Sequence, residues 1–181
     1  MNQKIIFTNH VGEAVDDLVA ELGTSDVHVI CDVNTSEFVM PLLVNDSKVI
    51  ADAGLITVKS GDTNKNIESL SQIWRTLSQS GATRQSVIIN VGGGVITDMG
   101  GFAAATFKRG LKFINIPTTL LAAVDASVGG KTGINFNGLK NEIGTFTEPE
   151  ATIISTIFFN SNRFQSVDVS KRNIPVSYTH L

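Results

Sequence analysis

Cysteine is nearly missing from this chain: Cys31 is alone among 181 residues. A single thiol closes no intramolecular disulfide and builds no thiolate metal cluster. Its place at the end of the apolar run VHVIC predicts a buried structural side chain. An excess of positive charge is missing too. The net charge is −3, which gives no electrostatic footprint for nucleic acid or an anionic membrane. No apolar run approaches the roughly 20 residues that span a bilayer. The opening residues, MNQKIIFTN, lack the basic-then-apolar pattern of a secretory leader, so the expected location is the cytoplasm. Internal repeats and low-complexity linkers are absent. The 3 histidines are scattered: His10 and His28 stand apart from the motifs and are expected to be structural or surface residues. His180 lies near the C-terminus, and no H-x-x-x-H spacing offers a metal site.

What the chain does have is core material. Hydrophobic residues make up 42% and charged residues 17%, enough for one packed domain, or one with the start of a second. Lys4 to Thr8 predicts a first strand. Val11, Val15, Leu18, Val19 and Leu22 recur at helical spacing, and Gly23 can end that helix. Val27 to Cys31 reads as a buried strand, and Asn34 or Thr35 as the N-cap of a helix towards Leu43. Leu55 to Val58 is a short strand broken by Ser60-Gly61-Asp62. Ile67, Leu70, Ile73, Trp74 and Leu77 mark an amphipathic helix over 66–80, closed by Gly81. Val87 to Val91, Phe113 to Ile116 and Thr152 to Ile154 complete the strands. Wholly apolar strands alternating with helices predict a Rossmann-like α/β domain with a mainly parallel sheet over residues 1–156.

The chemistry concentrates between Val87 and Gly144. Gly92-Gly93-Gly94 follows a strand and precedes a helix from about Ile96. Glycines there let backbone approach a pyrophosphate at the positive end of the helix. The spacing is not G-x-G-x-x-G, so a plain tight turn is the alternative. Asp98 either caps that helix or accepts a hydrogen bond from a ligand. Asp32 and Asn34, and the turn from Ser60 to Lys65, stand at strand ends, where open α/β sheets bind ligands. An Asx turn and a capped helix start are the plain readings. The run DASVGGKTG has Asp125 where a Walker loop needs glycine, so it is no phosphate loop of that type. Lys131 and Lys140-Asn141, in glycine-rich loops, are read as facing a small anionic ligand, with solvated lysines as the alternative. Arg109 can pair bidentately with phosphate or carboxylate, or lie in solvent.

Taken together, GGGVITDMGGFAAATFKRG, INIPTTLLAAVDASVGGKTGIN and LKNEIGTF resemble the core motifs of 3-dehydroquinate synthase, a sugar-phosphate cyclase. The resemblance runs from about Val27 to Ser161. It implies an N-terminal NAD-binding domain followed by a helical domain, a homodimer, and a divalent metal, zinc or cobalt. It further implies conversion of 3-deoxy-D-arabino-heptulosonate 7-phosphate, a phosphorylated sugar acid, into 3-dehydroquinate and phosphate. By motif, Asp32, Val33 and Asn34, then Asp62, Thr63, Asn64 and Lys65, then Gly93, Gly94 and Val95 would contact NAD. So would Asp98, Thr118, Thr119 and Lys140, and the segment Phe158, Phe159, Asn160, Ser161. Asp125, Lys131 and Asn141 would contact substrate, and Arg109 would reach the phosphate in a partner subunit's site. Thr97 departs from the family, where glycine commonly precedes the aspartate. The metal ligands, one glutamate and two histidines of the helical domain, have no counterpart: no carboxylate stands near Asn173. The terminal PVSYTHL resembles translated sequencing-adapter DNA, so 157–181 is expected to be a truncated or corrupted start of the second domain, and the chain to be inactive alone. A different sugar-phosphate cyclase, a metal-dependent polyol dehydrogenase and a non-catalytic NAD-binding module are the rival readings.

Overall fold

The computed structural model describes residues 4–126 and 129–159. Along the chain run β1 (Lys4–Phe7), α1 (Val11–Leu22), β2 (Val27–Asp32), α2 (Val33–Phe38), α3 (Met40–Asp46), α4 (Lys48–Asp52) and β3 (Gly54–Val58). Then follow α5 (Ile67–Gln79), β4 (Val87–Gly92), α6 (Gly94–Thr106), β5 (Lys112–Pro117), β6 (Lys131–Phe136), β7 (Leu139–Phe146) and β8 (Ala151–Ile154). Six strands form one parallel sheet in the order β1-β8-β5-β4-β2-β3. The expected Rossmann-like α/β architecture is therefore present. Among the described residues no helix is long and apolar enough to cross a membrane.

Strand side chains alternate between two cores. Val87, Ile89 and Val91 of β4 face one cluster with Val15, Leu18, Met40 and Leu43. Ile88 faces the other, with Leu70, Ile73, Leu77, Met99 and Phe102. Burial on both faces explains why these strands read as continuous apolar runs. The helix stops follow local chemistry. Gly23 (φ 69) closes α1 in the left-handed region and Gly81 (φ 79) follows α5, conformations that a Cβ disfavours.

Three expectations need correcting. The cap of α2 is Asp32, not Asn34 or Thr35: its Oδ1 accepts from Thr35 N at 2.9 Å, because β2 delivers Asp32 in extended backbone at the helix entry. Helix α6 begins at Gly94, so Asp98 lies beyond its first residues, and α6 has no side-chain N-cap. Lys131 and Lys140-Asn141 are not in loops. They lie on β6 and β7, an antiparallel hairpin turned at Asn137 (φ 49) and Gly138 (φ 79). Asn-Gly with both φ values positive is the two-residue turn that matches strand twist, and that dipeptide was the signal for the hairpin.

Helix α6 is held close by paired glycines. A Cβ on Gly100 would overlap Asn90 Oδ1, and one on Gly101 would come 2.6 Å from Thr132 Cγ2 of β6. Asn90 itself is wholly buried and donates from Nδ2 to Asn115 Oδ1 at 3.0 Å. Gly100→Ala should therefore force α6 off the sheet and lower stability by about 2–3 kcal/mol, measured by urea denaturation. An unchanged midpoint would show that the helix has slack here.

Candidate functional site

The parallel register sets every strand's carboxyl end along one edge: Phe7 opposite Ile154, Asp32 opposite Val58, Gly92 opposite Pro117. This is where ligands of open α/β sheets bind. Asp32, Val33 and Asn34, the turn Asp62–Lys65, Gly93, Gly94 and Val95, and Thr118 with Thr119 all gather there. At Gly93 the backbone is extended (φ −77, ψ −172), a conformation open to any residue. The glycine serves space instead: a Cβ would come 3.2 Å from Thr119 Cγ2. The result is a bare backbone approach to the uncapped, positive end of a 13-residue helix.

The centre of the site is Lys65. Residues Asp62–Asn64 form one 3-10 turn after β3, and this turn sends the Lys65 side chain inwards. Its ammonium lies 2.5 Å from Asp98 Oδ2 of α6 and 2.5 Å from Asn141 Oδ1 of β7. The Lys65 side chain is only 5% exposed and that of Asp98 19%, so neither charge is well solvated. Burial pushes the Asp98 carboxyl above the ordinary carboxylate value; Lys65 opposes that, and nearby Asp125 adds to it. Asp98 is thus no helix cap but half of a largely buried ion pair.

The hairpin closes over this pair. Lys140 Nζ reaches Asp62 Oδ2 at 3.2 Å on the surface. Asp98, Asp125, Lys131, Asn141 and Glu142 border a cleft of about 460 Å³, with Thr132, Thr145 and Phe146 along its wall. Ammonium, amide, hydroxyl and carboxylate groups within one cleft can orient a polyhydroxylated anionic ligand. Three residues that sequence reasoning gave no role stand on the same hairpin: Asn135, and Thr132 with Thr145, whose Oγ1 atoms lie 2.8 Å apart.

Not every expected residue joins the cleft. Arg109 precedes β5 and so lies at the opposite, amino end of the sheet, with Thr83, Arg84 and Lys108 around it. Phe158 is 3% exposed and packs in the core, with the partly buried Phe159 against it. Asn160 and Ser161 lie outside the described residues. Cys31 is buried and hydrogen-bonded to Thr57, and burial pushes its thiol up, so it is no nucleophile. His28 is buried and bonds Asp26 Oδ1 through Nε2 at 3.1 Å. Among the described residues no group of three His, Cys, Asp or Glu could hold a metal.

Helices on both faces of a parallel sheet, a glycine approach at its carboxyl edge and a hairpin cleft beside it define a Rossmann-like α/β ligand-binding domain. The 3-dehydroquinate synthase N-terminal family matches residues 55–168, more than half of the chain. The chain belongs to the 3-dehydroquinate synthase family. It is 48% identical over 159 residues to a 3-dehydroquinate synthase of Parabacteroides distasonis, covering 88% of this chain and 45% of that one. With the corresponding enzyme of Rhodopirellula baltica it shares 50% identity over 113 residues, 60% of this chain and 30% of the relative. The chain thus spans less than half the length of these curated relatives. Among solved structures, 2-epi-5-epi-valiolone synthase of Streptomyces hygroscopicus, with NAD+ and Zn2+ bound, superposes with a TM-score of 0.75 at 25% identity, over 87% of this chain and 44% of that one. A 2-deoxy-scyllo-inosose synthase complexed with carbaglucose-6-phosphate, NAD+ and Co2+ superposes at 0.76 and 24% identity, over 85% and 43%, a likeness of fold.

Lys65→Met should strand the Asp98 carboxylate in a buried site and cost about 3 kcal/mol near pH 8. The sign with pH follows from the raised Asp98 value. A carboxyl that holds its proton more tightly when folded gives stability that is complete below its unfolded value and is lost as pH rises through the folded one. The Lys65→Met deficit should therefore shrink in acid, as Asp98 becomes neutral. Denaturation at pH 5 and pH 8 measures it; a deficit equal at both would refute the buried-pair account.

Proposed function

We propose that residues 1–156 are the cofactor-binding unit of a 3-dehydroquinate synthase, acting on 3-deoxy-D-arabino-heptulosonate 7-phosphate. The observation that carries this reading is the gathering of Asp32, the Asp62–Lys65 turn, Gly93–Val95 and Thr118–Thr119 on one sheet edge beside the Lys65–Asp98–Asn141 contact. The residues fit a dinucleotide. Gly93 leaves bare backbone beside Thr119, where a Cβ would come 3.2 Å from Thr119 Cγ2, and the α6 N–H groups of Gly94 and Val95 would meet a pyrophosphate there. Asp32, at the end of β2, would take ribose hydroxyls, as an acid does in other doubly wound folds. NAD, when bound, would supply the reversible hydride acceptor that makes the sugar carbon beside a transient ketone acidic.

The chain's own contribution is binding and orientation. Lys131 and Asn141 would hold the anionic substrate against the cofactor edge, with Asp125 taking a hydroxyl. Asp98, whose carboxyl burial pushes above the ordinary carboxylate value, would hold Lys65 in place beside the ligand. A divalent metal does not fit the described residues. Arg109, at the far end of the sheet, would serve a partner subunit's site in a homodimer of the longer protein. Curated relatives near 50% identity favour this substrate over those of other sugar-phosphate cyclases.

Calorimetric titration of NAD into the 181-residue chain should show one site. Gly93→Val should weaken it at least about tenfold by filling the approach, a loss of about 1.4 kcal/mol or more, with the circular dichroism spectrum unchanged. Equal affinities would remove the pyrophosphate from this turn. The chain alone should release no phosphate from the heptulosonate phosphate, and detectable turnover would show that this half suffices.

A further inference from the structure

One side chain bonds to both halves of the site and has no assigned part in it. Asn135, half-buried on β6, donates from Nδ2 to Asp62 O at 3.1 Å and accepts at Oδ1 from Asn141 N at 3.0 Å. Its backbone N–H donates to Lys65 O at 2.8 Å. Asp62 O also accepts from Lys65 N at 3.1 Å, so Asn135 reinforces the bond that closes the 3-10 turn. On its other side, Asn141 stands at φ 53, a left-handed backbone that costs a non-glycine residue about 1 kcal/mol or more. The hydrogen bond from Asn141 N to Asn135 favours that conformation. It also aims the Asn141 amide oxygen at Lys65.

We infer that Asn135 is a positioning residue that makes the Asp62–Lys65 turn and Asn141 one mechanical unit, so that a ligand ordering either is felt by the other. The circuit is closed: Asn135 to the turn, the turn to Lys65, Lys65 Nζ to Asn141 Oδ1, Asn141 N back to Asn135. Within the hairpin Asn135 contributes its side-chain bond from Asn141 N and stands outside the β6–β7 ladder register. At Ile134 and Phe136 the β6–β7 register shifts, and this irregularity is what frees the Asn135 side chain to leave the ladder and reach the turn. The consequence for NAD rests on the cofactor reading above; the linkage itself does not.

The test separates the two. Amide hydrogen exchange is measured on the 181-residue chain and on Asn135→Ala and Asn135→Asp. The alanine variant keeps the backbone bond to Lys65 and loses both side-chain bonds. The aspartate keeps the acceptor for Asn141 and loses the donor to Asp62. Exchange at Asn64, Lys65 and Asn141 should quicken about tenfold in Asn135→Ala, as expected for roughly one hydrogen bond's worth of local opening. In Asn135→Asp it should quicken at the turn and less at Asn141. Quickening confined to the hairpin in Asn135→Ala would overturn the inference. NAD titration is the second reading. Affinity about tenfold weaker in both variants supports the coupling, and wild-type affinity in both overturns it. Failure of the unsubstituted chain to bind NAD would instead remove the cofactor reading, leaving the exchange data to decide the linkage.

Discussion

The Lys65 ammonium is the interaction on which the site depends. A lysine this deeply buried is tolerated only where partners replace the water it has lost. Here they come from two different elements, Asp98 of α6 and Asn141 of β7. The contact therefore does more than neutralise charge. It fixes the distance between the sheet edge and the hairpin, two parts that share no strand pairing. Because burial outweighs Lys65 in its effect on Asp98, the pair is a costly arrangement in terms of stability alone. Costly buried polar pairs are better explained by what they position than by what they stabilise.

The scaffold is what makes such a pair affordable. Gly100 lets α6 sit on Asn90 and Gly101 lets β6 sit on α6. The helix carrying Asp98 is thus clasped from both sides by close backbone approach. Methyl groups at these positions would separate the layers. Any separation would stretch the Lys65–Asp98 contact, whose strength falls with distance in a poorly screened interior. Packing that looks purely structural in the sequence thereby sets the electrostatics of the edge.

Much of this was legible from the residues. Helices α1 and α5 and the buried strands follow from apolar spacing, because a sheet covered on both faces admits little but Val, Ile and Leu along its central strands. The glycine turn and the 60–65 turn were legible as strand-end features. What the sequence concealed was cross-chain geometry. Lys65 read as one polar residue of a turn, since nothing local reveals that its partners stand 33 and 76 positions on. The hairpin was hidden for a different reason. Its strands are short of β-branched residues, and GGKTG draws attention as a loop motif. Only Asn137-Gly138 marked the turn. Asp32 was misjudged as a turn residue because a strand end and a helix cap fall on the same position.

Arg109 poses the sharpest geometric question. Lys108, Arg109 and Gly110 have φ of 48, 74 and 118, so two non-glycine residues in succession occupy a disfavoured region. Such strain persists when surrounding bonds over-determine it. Here Gly110 N bonds Phe107 O at 2.9 Å and Leu111 N bonds Ala104 O at 2.8 Å, pinning both sides of the turn. Strand β5 separates Arg109 from the carboxyl edge by its whole length, roughly 20 Å for six residues at 3.3 Å each, well beyond an arginine's reach. An arginine at the amino end of the sheet, while Asp32, the Asp62–Lys65 turn and Gly93–Val95 gather at the carboxyl end, cannot complete its own chain's cleft. Any anion that the Arg109 guanidinium meets, beside Arg84 and Lys108, therefore lies outside that cleft.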